Sequence, residues 1–167
     1  MSKKAKKDKK SRVEAVVLLP DIRSAHNVGS IFRTCDAAGV SRVVLSGYSP
    51  RPVDKFGRVQ KEIAKTALGG EKTIPWIYEK NTTKAIDSLR KEGYTIVAIE
   101  QSDSSVDYKK FKAPKKIALI VGNEVTGLSK SILNKCDSII EIPMKGEKES
   151  LNVGVATGVV LFRILKI

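Results

Sequence analysis

Five short runs dominate the chain: VEAVVLL (13–19), RVVLS (42–46), YTIVAIE (94–100), KIALIVG (116–122) and SIIEIP (138–143). Each is β-branched and apolar at nearly every position. A strand with one wet face alternates apolar and polar residues, and these do not. Such strands must be covered on both faces, which is the condition of a parallel sheet between helices. The intervening segments read as those helices. Residues 27–38 carry Val28, Ile31, Phe32, Cys35 and Ala38 at helical spacing, with Asn27 as N-cap and Gly39 as stop. KEIAKTALG (61–69), TKAIDSLRKEG (83–93) and SKSILNKC (129–136) read as further helices, the last capped by Ser129, and TIPWIY (73–78) as an irregular strand. The expected fold is therefore α/β, a mainly parallel sheet flanked by helices, in one domain over 13–167. In such sheets ligands sit at the carboxyl ends of strands, here the loops after Leu19, Glu100, Val121 and Ile142.

Charge narrows the partners. Lys and Arg total 31 against 18 acids in 167 residues, a formal net charge of +13. This excess points to a polyanion, nucleic acid before an anionic membrane. Residues 1–12, MSKKAKKDKKSR, form a basic arm that self-repels and reads as disordered and not as a signal peptide. Cys35 and Cys136 show no metal spacing, and His26 is the single histidine, so a metal site lacks ligands. The expectation is a reduced, cytoplasmic protein without a metal.

The closing segment, Leu151–Ile167, is apolar nearly all round, which implies burial on several sides. At 17 residues, with Asn152, Thr157, Arg163 and Lys166, it is a poor membrane span. Gly154 and Gly158 share one face and permit close backbone approach. The helix is expected to pack on the core and on a second subunit.

Residues 122–131, GNEVTGLSKS, follow a buried strand, where a phosphate loop would sit. That loop needs Lys directly after the second Gly, but Leu128 stands there and Lys130 comes two positions late. Glu124 inside the loop would repel a bound phosphate. Two further polar clusters lie at loop positions: HNVGSIFR (26–33) and EIPMKGEKESLNVGVA (141–156). Each alone is explained by capping and turns, with Ser150 as the cap of the last helix.

Together, in this order, the three resemble the motifs of the SpoU class (TrmH family) of the SPOUT superfamily: N-x-G-x-x-x-R, G-N-E-x-x-G-L and I-P-M-x-G-x-x-x-S-L-N-V. The resemblance covers all but the basic arm. It implies an RNA ribose 2′-O-methyltransferase that uses S-adenosylmethionine. It implies a C-terminal deep trefoil knot, an exception to unknotted folds, and a homodimer with its site at the interface. Gly122, Ile142, Met144 and Leu151 would contact the cofactor, while Asn27, Arg33, Glu124, Ser150 and Asn152 would form the catalytic set. Arg33 would act on the 2′-hydroxyl, as a base or, since a guanidinium stays protonated, as an electrostatic stabiliser of the alkoxide. It leans toward the helix start, where free N–H groups would favour a phosphate beside an unobstructed Gly29. His26 is the alternative base. Val125 replaces a family Gly, and a positive φ there would strain a β-branched residue. RNA candidates are the arm, Arg51, Lys55, Arg58, Lys61 and Lys65, with Tyr48 and Phe56 for stacking and Trp76 reading better as core. tRNA is favoured over rRNA. The alternative is a non-catalytic RNA-binding or assembly factor that kept the fold.

Overall fold

The computed structural model describes residues 13–167, so the basic arm lies outside the described residues. Its elements are β1 (Glu14–Pro20), α1 (Ala25–Ala38), β2 (Arg42–Ser46), α2 (Lys61–Ala67), α3 (Gly70–Thr73), β3 (Trp76–Glu79) and α4 (Thr82–Lys91). Then follow β4 (Thr95–Ile99), β5 (Val106–Asp107), β6 (Lys116–Val121), α5 (Lys130–Leu133), β7 (Ser138–Glu141) and α6 (Val153–Leu165).

The seven strands form one sheet in the order β3-β2-β1-β6-β4-β7-β5, and every pairing between them is parallel. Alternate residues of each central strand feed opposite cores. Ala15, Val17, Leu19, Leu119 and Val121 pack beneath α1, α2 and α6, against Val28, Phe32, Ile63 and Leu161. Val16, Leu18, Ile96, Ala98 and Ile120 face the other way, against Ala85, Ile86 and Leu89 of α4. The unbroken apolar runs are thus two interleaved faces, both dry. The two-residue β5 and the four-residue α3 have too little periodicity to be read from sequence.

Three local readings are corrected. α1 starts two residues earlier than Asn27, and its cap is Ser24, whose Oγ accepts from Asn27 N at 3.2 Å. α6 is capped by Asn152, not Ser150, with Oδ1 accepting from Gly154 N at 2.9 Å. Ser and Asn are nearly interchangeable as caps, so composition could not choose between neighbours. Gly29 is buried against α2, where a Cβ would meet Ile63 O and Ala67 N. Its smallness serves helix–helix packing and not the clearing of a substrate path. By contrast, Ser129 caps α5 and Gly39 ends α1 at φ 69°, as read.

Ser24→Ala is expected to lower stability by about 1 kcal/mol, the usual worth of such a cap. Urea unfolding followed by circular dichroism measures it, and an unchanged midpoint would contradict the capping role.

α6 lies on α1 in the same chain. A Cβ at Gly154 would stand 3.3 Å from Ser30 Oγ, and one at Gly158 would stand 3.5 Å from Thr34 Cγ2. The small-residue face is therefore used inside the chain. Val155 and Phe162, on another face, remain 52% and 40% exposed. No helix among the described residues is long and apolar enough to cross a membrane.

Candidate active site

The loops after β4, β6 and β7, with Asn27 of α1, surround a cavity of about 510 Å3 at the carboxyl edge of the sheet; the loop after β1 meets it only through hydrogen bonds to Glu124 and Asn123. Gly122, Ile142, Met144 and Leu151 line it. So do Asn27, Glu124, Ser150 and Asn152. Eight of the nine singled-out residues therefore share one cavity, although they come from three separate stretches of chain.

Hydrogen bonds join those stretches. Asn152 sits at the start of α6, where its Oδ1 caps the helix and leaves Nδ2 free to donate to Asn27 Oδ1 at 3.0 Å. Asn27 Nδ2 in turn donates to Glu124 Oε1 at 2.8 Å. The Glu124 carboxylate then accepts from the backbone N–H groups of Arg23 at 2.9 Å and Ser24 at 3.1 Å. An amide can donate and accept at once, so Asn27 passes the link from one motif to the other. A carboxylate is the acceptor best suited to several N–H groups before a helix start.

This arrangement corrects another expectation. From the sequence, the N–H groups at the start of α1 are expected to be free to hold a substrate phosphate. Glu124 and the Ser24 cap already stand there, and a negative carboxylate disfavours a second anion beside it.

Partial burial pushes the Glu124 carboxyl up, but the hydrogen bonds from Arg23, Asn27 and Ser24 outweigh it and hold it below its ordinary value of 4.5. A depressed folded-state value gives stability that is present above the unfolded value and lost as pH falls through the folded one. The stability advantage of the native protein over Glu124→Gln is therefore expected to be full near neutrality and to vanish below the ordinary carboxyl range. Thermal melts across pH measure it; an advantage that grows on acidification would contradict the linkage.

Asn123 is 7% exposed and fully partnered. Its Nδ2 donates to Asp21 O and to Tyr48 Oη, both at 2.7 Å, and its Oδ1 accepts from Val125 N at 2.8 Å and Thr126 N at 3.0 Å. It shapes the loop and pins it to the segment after β1. The positive φ in this loop falls at Gly127, at 64°, while Val125 is 72% exposed and is not among the residues with positive φ. The replacement of Gly by Val therefore costs no backbone strain.

Arg33 does not line this cavity. It is exposed on α1, on the face that carries His26 and Ser30. His26 also lies outside the cavity. Trp76 packs partly buried against the core, as expected.

Sequence reading missed Glu100 and Glu141 as lining residues. Glu100 Oε2 accepts from Leu128 N at 2.9 Å and occupies the space a side chain at Gly127 would need. An acid at the carboxyl end of a buried strand was the signal available. Together Glu100, Glu124 and Glu141 make the lining acidic, and no Lys, Arg or His belongs to it among the described residues. Within a chain of net charge +13, this cavity favours a cation over an anion. No group of three or more His, Cys, Asp or Glu suited to a metal occurs among the described residues.

An all-parallel α/β sheet with an acidic cavity at the carboxyl ends of its central strands defines a ligand-binding α/β domain. Comparison with known proteins specifies which. The SpoU rRNA methylase family model matches residues 14–162, and the chain belongs to that family. A Staphylococcus epidermidis protein assigned to the TrmH family of tRNA/rRNA methyltransferases is 32% identical over 96% of this chain and 62% of its own length. The AdoMet-bound rRNA methyltransferase of Sinorhizobium meliloti superposes with a TM-score of 0.84 at 32% identity, over 93% of this chain and 57% of that one. The A. aeolicus TrmH/SpoU tRNA modifying enzyme gives 0.79 at 30% identity, over 94% and 76%. The chain thus spans about three fifths of the curated relatives' length (62% in S. epidermidis and S. haemolyticus).

Proposed function

We propose that this chain is an S-adenosylmethionine-dependent RNA methyltransferase that modifies a ribose 2′-hydroxyl. The acidic cavity, with the Asn152–Asn27–Glu124 link in its lining, carries the reading. A volume of about 510 Å3 suits a small-molecule cofactor. Bound there, S-adenosylmethionine supplies an activated methyl on a cationic sulfonium. Its charge matches Glu100, Glu124 and Glu141, and the apolar Ile142, Met144 and Leu151 offer surface to the rest of it. Gly122 lets the loop backbone reach the cavity.

The protein's own work is alignment and charge stabilisation. Asn27, Ser150 and Asn152 orient ribose at the rim, and Glu124 fixes Asn27. Arg33 stabilises the oxygen as its proton passes to solvent water and the methyl–sulfur bond breaks; a guanidinium five-donor fork suits that task better than proton removal. Since Arg33 stands outside the cavity of its own chain, it serves the site of a second subunit. The exposed Val155 and Phe162 stripe of α6, which lies on α1, supports a homodimer built on that helix. The deep C-terminal trefoil knot belongs to the same reading, supported by α6 returning onto α1 after β7 has entered the sheet beside β4. Sedimentation as a monomer would sink the dimer. Cytoplasmic RNA is the expected substrate, with tRNA placed first because the A. aeolicus tRNA enzyme is matched over 76% of its length.

Transfer of a radiolabelled methyl group to bulk tRNA and to rRNA tests the whole. Label in alkali-resistant dinucleotides is the expected result. Cofactor binding without transfer to either pool would leave a non-catalytic RNA-binding factor, and no cofactor binding would sink the enzyme reading.

A further inference from the structure

A second hollow of about 820 Å3 lies between the 47–62 segment and β3, lined by Tyr48, Arg51, Arg58, Lys61 and Tyr78 among others. It plays no part in the cavity described above. We propose that it is a subsite for a single-stranded stretch of RNA flanking the modified nucleotide, with a base stacked on Tyr48. The inference rests on the RNA methyltransferase reading and deepens it.

Four observations carry it. First, aromatic rings stand in solvent where burial would be the norm: Tyr48 is 61% and Phe56 70% exposed. Second, cations stand over Phe56 and over Tyr78, which lines the same hollow. Arg51 lies 4.5 Å over the Tyr78 ring, and Lys55 and Arg58 lie 4.9 and 5.1 Å from the centre of Phe56. Rings interleaved with cations suit unpaired bases joined by phosphates. A protein partner would more commonly be met by an apolar patch with few charges at its centre.

Third, the segment is preformed. Val53 and Val59 make an antiparallel bridge. Asp54 accepts from Phe56 N at 2.8 Å, Arg58 N at 3.0 Å and Arg58 Nε at 2.8 Å. The carboxylate is thus spent within the turn, and Arg51, Lys55 and Lys61 stay available to phosphates. Lys61 begins α2, and Glu62 follows it as a countercharge. A rigid, partly neutralised finger binds with little ordering cost.

Fourth, the hollow adjoins the active-site loop. Tyr48 Oη accepts from Asn123 Nδ2 at 2.7 Å, and Asn123 lines the first cavity and shapes its loop. Tyr48 N donates to Asp21 at 3.0 Å. The ring is held at both ends, at a fixed distance from the site where the ribose reacts. Every base has a π-face, so such a platform accepts a strand without reading its sequence.

The probe is a fluorescein-labelled oligouridine strand of about twelve nucleotides, a length within the range a single binding fold covers. A blunt RNA duplex of equal length is the control, and anisotropy is the readout. Calorimetry with S-adenosylmethionine is run on every variant. Tyr48→Ala and Phe56→Ala are each expected to weaken strand binding by roughly tenfold, the loss of one stacked base, with duplex binding unchanged. Tyr48→Phe keeps the ring and is expected to bind the strand nearly as the native protein does. Phe56 is not among the residues that line the cofactor cavity, so Phe56→Ala is expected to retain cofactor affinity and serves as the check on folding. Native strand affinity in both alanine variants overturns the subsite. So does equal loss for strand and duplex, which would mark general electrostatic attraction, or binding of a protein partner with no effect on RNA. In each of these cases cofactor affinity stays native in the unmodified protein and in Phe56→Ala, whereas failure of the methyltransferase reading removes cofactor binding from the unmodified protein.

Discussion

Arg33→Ala is expected to slow methyl transfer by about a hundredfold to a thousandfold, the cost of removing one donor to a developing oxyanion, while S-adenosylmethionine affinity stays native. Both halves come from position. Arg33 is exposed on α1 and absent from the cavity lining, so its loss leaves the cofactor surface intact. In the proposed mechanism its cationic fork is needed only when negative charge forms on the ribose oxygen, so kcat is expected to fall and not binding. The same placement makes a sharper test. If Arg33 serves the cavity of a second subunit, two inactive proteins complement each other: Arg33→Ala mixed with a variant whose cavity is blocked regains activity in hybrid dimers. Absence of complementation, in mixtures shown to exchange subunits, would place Arg33 in its own chain's site. Lysine is not an equivalent replacement, because a point charge lacks the planar fork.

Gly122→Ala is the variant suited to block the cavity. A Cβ at this position would stand 2.7 Å from Gly127 C and 2.8 Å from Leu128 N, both backbone atoms. Neither can rotate away as a side chain could, so the 122–128 loop must move. That movement drags on Glu124 and on Asn123, the two anchors that tie the loop to Arg23, Ser24, Asn27 and Asp21. Overpacking of this kind costs about 1–3 kcal/mol, and if it falls on the bound loop conformation the cofactor Kd rises by roughly tenfold to a hundredfold. Calorimetry reads the affinity, and circular dichroism shows whether the sheet persists. Native affinity in Gly122→Ala would mean that the loop has slack the structure does not reveal.

The two variants divide the site between its two tasks. On the proposed reading, Gly122 acts on the surface that holds the methyl donor, and Arg33 acts on the oxygen that receives the methyl. Glu124 adds negative charge to the cavity, positions Asn27 and closes the start of α1, and an acid-sensitive contribution to stability is the expected signature of that positioning.

Much of this was legible in the chain because the signals are local. The apolar runs at 13–19, 94–100 and 116–122 could be buried strands and little else, and helix stops such as Gly39 and Gly93 need only their neighbours to be read. The three motifs were likewise visible, as was the direction of their loops, since a parallel strand aims its following loop at the carboxyl edge. What local signals could not resolve is competition between equivalent residues. Ser24 and Asn27, or Ser150 and Asn152, suit a cap equally well, and which one caps depends on where the chain arrives from. Gly29 illustrates the same limit. Its smallness could clear a substrate path or admit a helix, and only the arrival of Thr66, Ile63 and Ala67 from α2 decides for the helix.

The sequence by itself determined the main secondary elements other than β5 and α3, the dry two-faced sheet and the family, because these depend on patterns a few residues long and on motif order. Tertiary structure alone decided the Asn152–Asn27–Glu124 link, which spans separations of 125 and 97 residues. It also decided the acidic lining of the cavity, the exclusion of Arg33 from it and the Tyr48–Asn123 contact between the two hollows. Hydrogen bonds and charge are felt over a few ångströms of space, and distance along the chain carries no record of which side chains the folded sheet brings that close.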